Sequence, residues 1–408
     1  MPGDAAPAIR SPWAVLAALV VVGFACYGTG VYAFTQFLTP LANEFGWGRA
    51  VTGGAMSAFW VASPLVPWIA VWAGRGGPRR PIITGALLEG ASLVLLAFVE
   101  DAWQLYALRV LMGLGKLLMV VPIPIELARK FGMRAGFAIA IAYAGWHLGG
   151  VVLAPTAQWL IAAYGWREAA VALGGAVIVL ILSLSPWFET RSKTDADAGG
   201  AAKAAGVRRA GALLFGRPAL RYLTVVTMVA YAAAFSMLTH VSPFLADTGV
   251  AAPTIANLVG SIAFAAMVGV ILSGAATQRW STRTLGLVSL MGFTVAALVL
   301  GAISLGDAAP GVPTLVVTVL LFGLVLGGAD AVWIEQLRRL SAPQDFPAIY
   351  GWWYLTVLIS LTVAPIIAGV IYDATGSYLR VFAGLAAGLV AAMALLRFAV
   401  PPGSRVGN

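Results

Sequence analysis

Lys116 lies seven residues after Arg109 in a stretch, Arg109 to Lys130, that is otherwise apolar enough to cross a lipid bilayer. Two helical turns separate the two cations, so one helix carries them on nearly the same face as a short positive ladder. A charge near the centre of a span costs at least about 3 kcal/mol on insertion scales and must face a cavity or a partner. Two arrangements meet that demand for Lys116: an anion held as ligand, or an ion pair with Glu89 at similar depth in the preceding span. Arg109, at the start of its span, reads first as a structural or gating residue.

His147 falls mid-span within Tyr143-Ala144-Gly145-Trp146-His147-Leu148-Gly149-Gly150. An imidazole, titrating at about pH 6.5, can carry a coupling proton or donate to a carboxylate. A neutral ring bonded across a glycine-rich helix seam is the equal alternative. His240 sits close to the end of another span, either as a proton-linked gate or as an interfacial residue. Asp330, five residues before Glu335, reads as neutralising Arg279 or Arg283 at a gate, with proton acceptance as the alternative. Tyr27, followed by Gly28-Thr29-Gly30, offers a hydroxyl to a carboxylate, and Trp352, Trp353 and Tyr354 add aromatic surface, although Trp and Tyr also collect at membrane interfaces. The candidate substrate contacts are therefore Lys116, Tyr27, His147, Trp352 and Tyr354, with Arg109, His240, Asp330 and Glu89 as candidate coupling or gating groups.

The sequence Ile125-Glu126-Leu127-Ala128-Arg129-Lys130 returns 209 residues later as Ile334-Glu335-Gln336-Leu337-Arg338-Arg339. The duplicated acids suit ion pairs with loop arginines such as Arg75, Arg79 and Arg279, closing one side of the molecule. Cys26 is the single cysteine and there are two histidines, so an internal disulfide, a Cys-based metal site and a His-Glu-x-x-His zinc site are excluded. No Walker sequence and no Gly-x-Ser-x-Gly occurs, which speaks against a pump or a serine hydrolase. No cofactor is implied.

Helices in a membrane must position these groups. The 408 residues are 61% hydrophobic and 10% charged, with a mean hydropathy of +0.91, against roughly 25% charged in soluble domains. Twelve apolar spans are expected near 13–37, 50–74, 81–99, 103–126, 136–162, 168–188, 219–245, 253–277, 284–305, 312–333, 349–372 and 377–399. Helices are required because lipid offers no partner to an open backbone. With the N-terminus cytoplasmic, twenty of the twenty-five basic residues fall in cytoplasmic segments and three in outer loops. That bias places both termini in the cytoplasm and explains the net charge of +9 without nucleic acid. The polar segment 189–218 reads as a flexible cytoplasmic linker between six-helix halves at 1–188 and 219–408.

Across essentially its whole length the chain resembles a major facilitator superfamily transporter. The loop Gly74-Arg75-Gly76-Gly77-Pro78-Arg79-Arg80-Pro81 is similar to that superfamily's basic loop between helices 2 and 3, without its usual Asp-Arg pair. Glu44 to Ala50, Arg109 with Gly113 and Gly115, Tyr164-Gly165-Trp166-Arg167, Thr239-His240 with Pro243, Asp247 and Gly249, Tyr350-Gly351, and Asp373 with Gly376-Ser377-Tyr378 resemble the monocarboxylate transporter and oxalate/formate exchanger branch. The resemblance implies an all-α, multi-pass protein of a bacterial inner membrane, with twelve helices in two pseudo-symmetric bundles. It implies a monomer and no enzyme: a secondary transporter of a small organic anion working by alternating access, proton-coupled or exchanging. An exporter of hydrophobic or amphipathic compounds is the runner-up, and a transporter-like receptor or scaffold the reading from another class. Spans 8 and 11 lack the basic residue that carboxylate-handling relatives carry there, which leaves Lys116 as the cation for an anionic cargo.

Overall fold

The computed structural model describes residues 11–189, 202–306 and 311–399, and every regular element among them is helical. Twelve rods account for the expected spans. They are α1 (Pro12–Phe45), α2 (Arg49–Ala58 continuing as Val66–Gly76), α3 (Arg79–Leu96), α4 (Ala102–Val120 continuing as Pro122–Phe131), α5 (Ala135–Tyr164) and α6 (Trp166–Leu184). The second set is α7 (Pro218–Asp247), α8 (Ala252–Ala276), α9 (Thr282–Ile303), α10 (Val312–Leu340), α11 (Phe346–Thr375) and α12 (Tyr378–Ala399). Their outer faces expose large apolar side chains, among them Phe98 at 70%, Val179 at 69% and Val317 at 67%, as a lipid-facing belt requires.

Three rods are interrupted, two of them at prolines. α1 widens into a π-turn over Gly28–Ala33. α2 passes through a 3-10 turn at Ser63–Leu65, where Pro64 and Pro67 supply no N–H. α4 breaks at Val121 because Pro122 cannot continue the ladder. Close approach of α3 and α4 then fixes the depth of Lys116. A Cβ on Gly115 would stand 2.7 Å from the Gly85 carbonyl oxygen and 2.8 Å from the Glu89 nitrogen, so only glycine lets the rods touch there.

The two six-helix sets meet at the end of the bundle that carries Arg75, Arg129 and Arg338. A Cβ on Gly274 of α8 would fall 2.2 Å from that of Ala140 on α5, and one on Gly74 of α2 would fall 2.6 Å from Pro347 on α11. Gly136 of α5 packs against Thr277 and Glu335, and Gly351 of α11 against Ala70. Small residues on both sides bring the backbones together at this basic end.

The segment read as a flexible linker contains a helix at Ala202–Gly216, a correction to that expectation; residues 190–201 lie outside the described residues. This inter-repeat helix packs against α11, α7 and α2. Val207, Ala210 and Leu214 are its buried positions, one face of a helix whose period the surrounding charges obscure. Trp352 Nε1 donates to the Val207 carbonyl at 2.8 Å.

Candidate functional site

The middle of the bundle holds one free-standing cation. Lys116 is fully buried, and its Nζ makes no hydrogen bond and no ion pair among the described residues. Aromatic faces surround it, with Trp60 at 4.2 Å, Tyr27 at 4.6 Å and Phe59 at 5.9 Å from Nζ to ring centroid. Each such face is worth about 0.5–2 kcal/mol to an ammonium, but none replaces a hydrogen-bond acceptor. Of the two arrangements open to Lys116, the Glu89 ion pair does not form. Glu89 instead meets the Thr29 hydroxyl at 2.8 Å, beside the π-turn of α1.

From Tyr27 the aromatic surface continues into α5. Tyr27 stacks on Trp146 with centroids 4.2 Å apart, and Trp146 on Tyr143 at 3.5 Å. The facing wall comes from α11 and α7, where Tyr350 stacks on Tyr354 at 5.6 Å and Trp353 Nε1 donates to Thr227 at 2.9 Å. Tyr27 approaches Tyr354 across the cleft, and Tyr143 approaches Tyr350. The Tyr143 and Tyr350 hydroxyls are buried and face each other. On α10, Asp330 accepts a hydrogen bond from the Tyr231 hydroxyl of α7 and lies within electrostatic reach of Lys116.

Arg109, by contrast, is satisfied. Its Nε donates to the Ala55 carbonyl at 3.1 Å and its Nη1 to the Gly30 carbonyl at 3.0 Å, with Phe34 stacked 3.6 Å away. The guanidinium staples α1, α2 and α4 by taking a carbonyl that the π-turn releases, and no positive ladder faces the cleft. His240 is equally engaged. Its Nε2 donates to the Pro365 carbonyl at 3.0 Å, which leaves Nδ1 to face the Tyr378 hydroxyl at 3.3 Å. His147 follows Trp146 with its buried Nδ1 unpartnered.

At the basic end, Glu126 pairs with Arg129 at 2.6 Å and Lys130 at 3.7 Å, while Glu335 pairs with Arg338 and Arg339, both at 2.7 Å. The partners of Glu335 come from its own helix end, one turn away, and not from a loop arginine such as Arg279 as expected; i, i+3 and i, i+4 spacing already delivers them. Asp330 likewise meets Tyr231 and no arginine. Glu189, just past α6, binds Lys130 and Arg129. Partial burial by itself would raise its carboxyl, but the two cations more than reverse this and hold it below the ordinary range. A cavity of about 600 Å³ opens here between the halves, with Arg75, Arg129 and Arg338 in its wall. Arg79 stands at the start of α3, and no ion pair joins it to Glu126 or Glu335 among the described residues.

Of the expected substrate contacts, Lys116, Tyr27 and Tyr354 converge on the cleft. Trp352 does not, because its ring is committed to the inter-repeat helix. Tyr143, Trp146, Tyr231 and Tyr350 join the cleft without having been proposed as contacts, and Trp353, named only as added aromatic surface, joins it too. The available signal was aromatic spacing of three and four residues, Tyr143/Trp146 on α5 and Tyr350/Tyr354 on α11, which places each pair on one helix face.

Twelve rods in two six-helix sets, most of them long and apolar enough to cross a membrane, define the architecture of a multi-pass membrane protein. The comparisons with known proteins agree. The family model of the Major Facilitator Superfamily matches residues 20–307 and 223–408, and the chain belongs to that superfamily. It is 27% identical over 394 residues to a Pseudomonas aeruginosa protein named transcription regulatory protein OpdE, covering 95% of this chain and 94% of that one. It is 26% identical over 389 residues to Mus musculus monocarboxylate transporter 4, covering 91% and 79% respectively. A crystal structure of the E. coli fucose:proton symporter FucP superposes with a TM-score of 0.74 at 14% identity over 96% of this chain and 100% of that one. That likeness is one of fold.

Proposed function

We propose that this chain is a secondary active transporter of a small organic anion, in particular a monocarboxylate. The observation that carries the reading is the buried Lys116 Nζ, without a hydrogen-bond acceptor among the described residues, on an aromatic surface that continues to the facing Tyr143 and Tyr350 hydroxyls. A carboxylate supplies both the charge and the acceptor that Lys116 needs, and hydrogen bonds to a charged partner contribute about 1.5–3 kcal/mol each. Monocarboxylate transporters among the relatives support the same cargo class. Tyr27 and Trp60 are half-buried lids over Lys116, so loading requires one of these rings to swing.

Alternating access is the mode of action: the halves 1–188 and 219–408 rock about the central site, and the glycine seam at the basic end is the closed gate. The positive-inside bias supports a cytoplasmic basic end, cytoplasmic termini and a bacterial inner-membrane location. Export of apolar or amphipathic compounds is the second reading, favoured by the stacked aromatic walls. The test is uptake of labelled lactate, pyruvate, formate, oxalate and benzoate into proteoliposomes. Uptake of at least one acid, abolished by Lys116→Ala, supports the anion reading. No uptake of any by folded protein sinks it, and export of an apolar dye untouched by Lys116→Ala establishes the alternative.

A further inference from the structure

We propose that the cavity at the basic end is a binding site for a small soluble polyanion with two or more phosphoryl groups, which bridges the two six-helix sets. Its volume of about 600 Å³ falls within the roughly 300–1,000 Å³ of sites that take small molecules. Arg75 of α2 and Arg129 of α4 line it from the first set. Arg338 of α10 and Gln344, in the turn that follows, line it from the second. Three guanidiniums therefore share one cavity, and no carboxylate is among its described lining residues. Lys116 is not in its wall, so the site is separate from the central cleft.

The sequence repeat explains why the arginines converge. Arg129 and Arg338 are equivalent positions 209 residues apart, each three residues after a buried glutamate. Glu126 accepts from Nε and Nη2 of Arg129 at 3.2 and 2.6 Å, and Glu335 accepts from the same two atoms of Arg338 at 2.8 and 2.7 Å. Each glutamate thus holds its arginine by one edge. Among the described residues the Nη1 of neither arginine makes a hydrogen bond. Those remaining N–H groups are set in the planar fork that phosphate oxygens match. The two clusters together with Arg75 hold five basic residues, against the acids Glu126, Glu189 and Glu335. Asp345 and Arg209, one of each sign, line a neighbouring cavity. The ion pairs therefore leave positive charge uncompensated where the two sets meet.

A single carboxylate engages one guanidinium. An anion with two phosphoryl ends engages Arg129 and Arg338 at once, and the second contact forms within an already bound ligand. The lining comes from both sets, so the site is whole only while they are packed together at this end. A ligand that binds one state better shifts the population toward it, and the polyanion accordingly holds the basic end closed. That consequence rests on the alternating-access reading; the binding itself does not.

The experiment is calorimetric titration of inorganic pyrophosphate into the full chain, held in nanodiscs of neutral lipid. Wild type should bind pyrophosphate about tenfold or more tighter than orthophosphate. Arg129→Gln and Arg338→Gln, one from each set, should each weaken binding about tenfold or more, the loss of a charge-assisted hydrogen bond. Both arginines also hold buried glutamates, so Gln344, which is exposed in the cavity wall, supplies variants that spare the fold. Gln344→Glu should weaken binding roughly threefold and Gln344→Lys strengthen it by a similar factor. Lys116→Met should bind as wild type does. No binding by wild type overturns the proposal, as do equal affinities for the two anions, unmoved affinity in both Gln344 variants, or loss of binding in Lys116→Met. A thiol at Thr277→Cys, packed against Gly136 across the seam, reports opening, and saturating pyrophosphate should slow its labelling several-fold. Unchanged labelling of pyrophosphate-bound protein overturns the bridging. Failure of the wild type to move any carboxylate counts against the transport reading alone, because neither binding nor labelling depends on cargo.

Discussion

Glu335 at the basic end meets two arginines of its own helix at 2.7 Å, whereas Lys116 at mid-depth meets three aromatic faces and no acceptor at all. Both are almost completely buried. The first charge is satisfied within one helical turn, so its cluster is complete without any other molecule. The second is held in place by glycine-mediated packing at Gly115 and leaves its hydrogen bonds unmade. Burial alone does not separate a structural charge from a working one; what separates them here is whether the protein supplies the partner. Arg109 teaches the same lesson from within the central region, since two backbone carbonyls and a phenyl ring complete it.

The strongest way to break this contrast is Lys116→Met, which keeps the stem and removes the charge. Carboxylate uptake should fall about 10- to 100-fold, the equivalent of one charge-assisted hydrogen bond, while the thermal midpoint in detergent stays level or rises. Glu335→Gln should do the opposite. Leaving Arg338 and Arg339 without their shared anion should lower stability by about 2 kcal/mol, visible as a lower thermal midpoint, with uptake per folded molecule changing less than in Lys116→Met. Gly274→Leu overfills the seam against Ala140 and should bias the halves apart at the basic end by about 1 kcal/mol or more. A thiol probe at Ser341→Cys, in the wall of the basic cavity, should then be labelled several-fold faster.

The smallest effect lies at the far end, where Glu44 accepts from Trp166 Nε1 at 2.7 Å and pairs with Arg167 at 2.6 Å. Arg167 first, then Trp166, holds the Glu44 carboxyl below its ordinary range. A depressed carboxyl contributes stability above its unfolded value of about 4.3 and loses it as pH falls through the lower folded value. Glu44→Gln should therefore lower the thermal midpoint slightly at neutral pH, with the gap to wild type closing on acidification below about pH 4.

Much of this was legible in the chain itself. Span-length apolar runs give all twelve rods, the repeat around Glu126 and Glu335 gives two halves, and a lysine amid apolar residues marks the cleft. What spacing could not show is pairing across helices. Tyr231 and Asp330 are 99 residues apart, and Tyr143 meets Tyr350 only because the halves close on one another. Asp330 was read toward the gate arginines because along the helix it lies near them, yet its side chain turns to α7. Trp352 was misread because the helix that captures it looked like linker, its buried face of Val207, Ala210 and Leu214 diluted by charge.

The most direct test of the central claim is a thermal-shift measurement on wild type and Lys116→Met with and without a saturating transported acid. A ligand at 100 times its dissociation constant stabilises the folded state by about 2.7 kcal/mol, so the wild-type midpoint should rise by several degrees and that of Lys116→Met should not move. Equal rises in both proteins would show that the acid binds without Lys116 and would contradict the account.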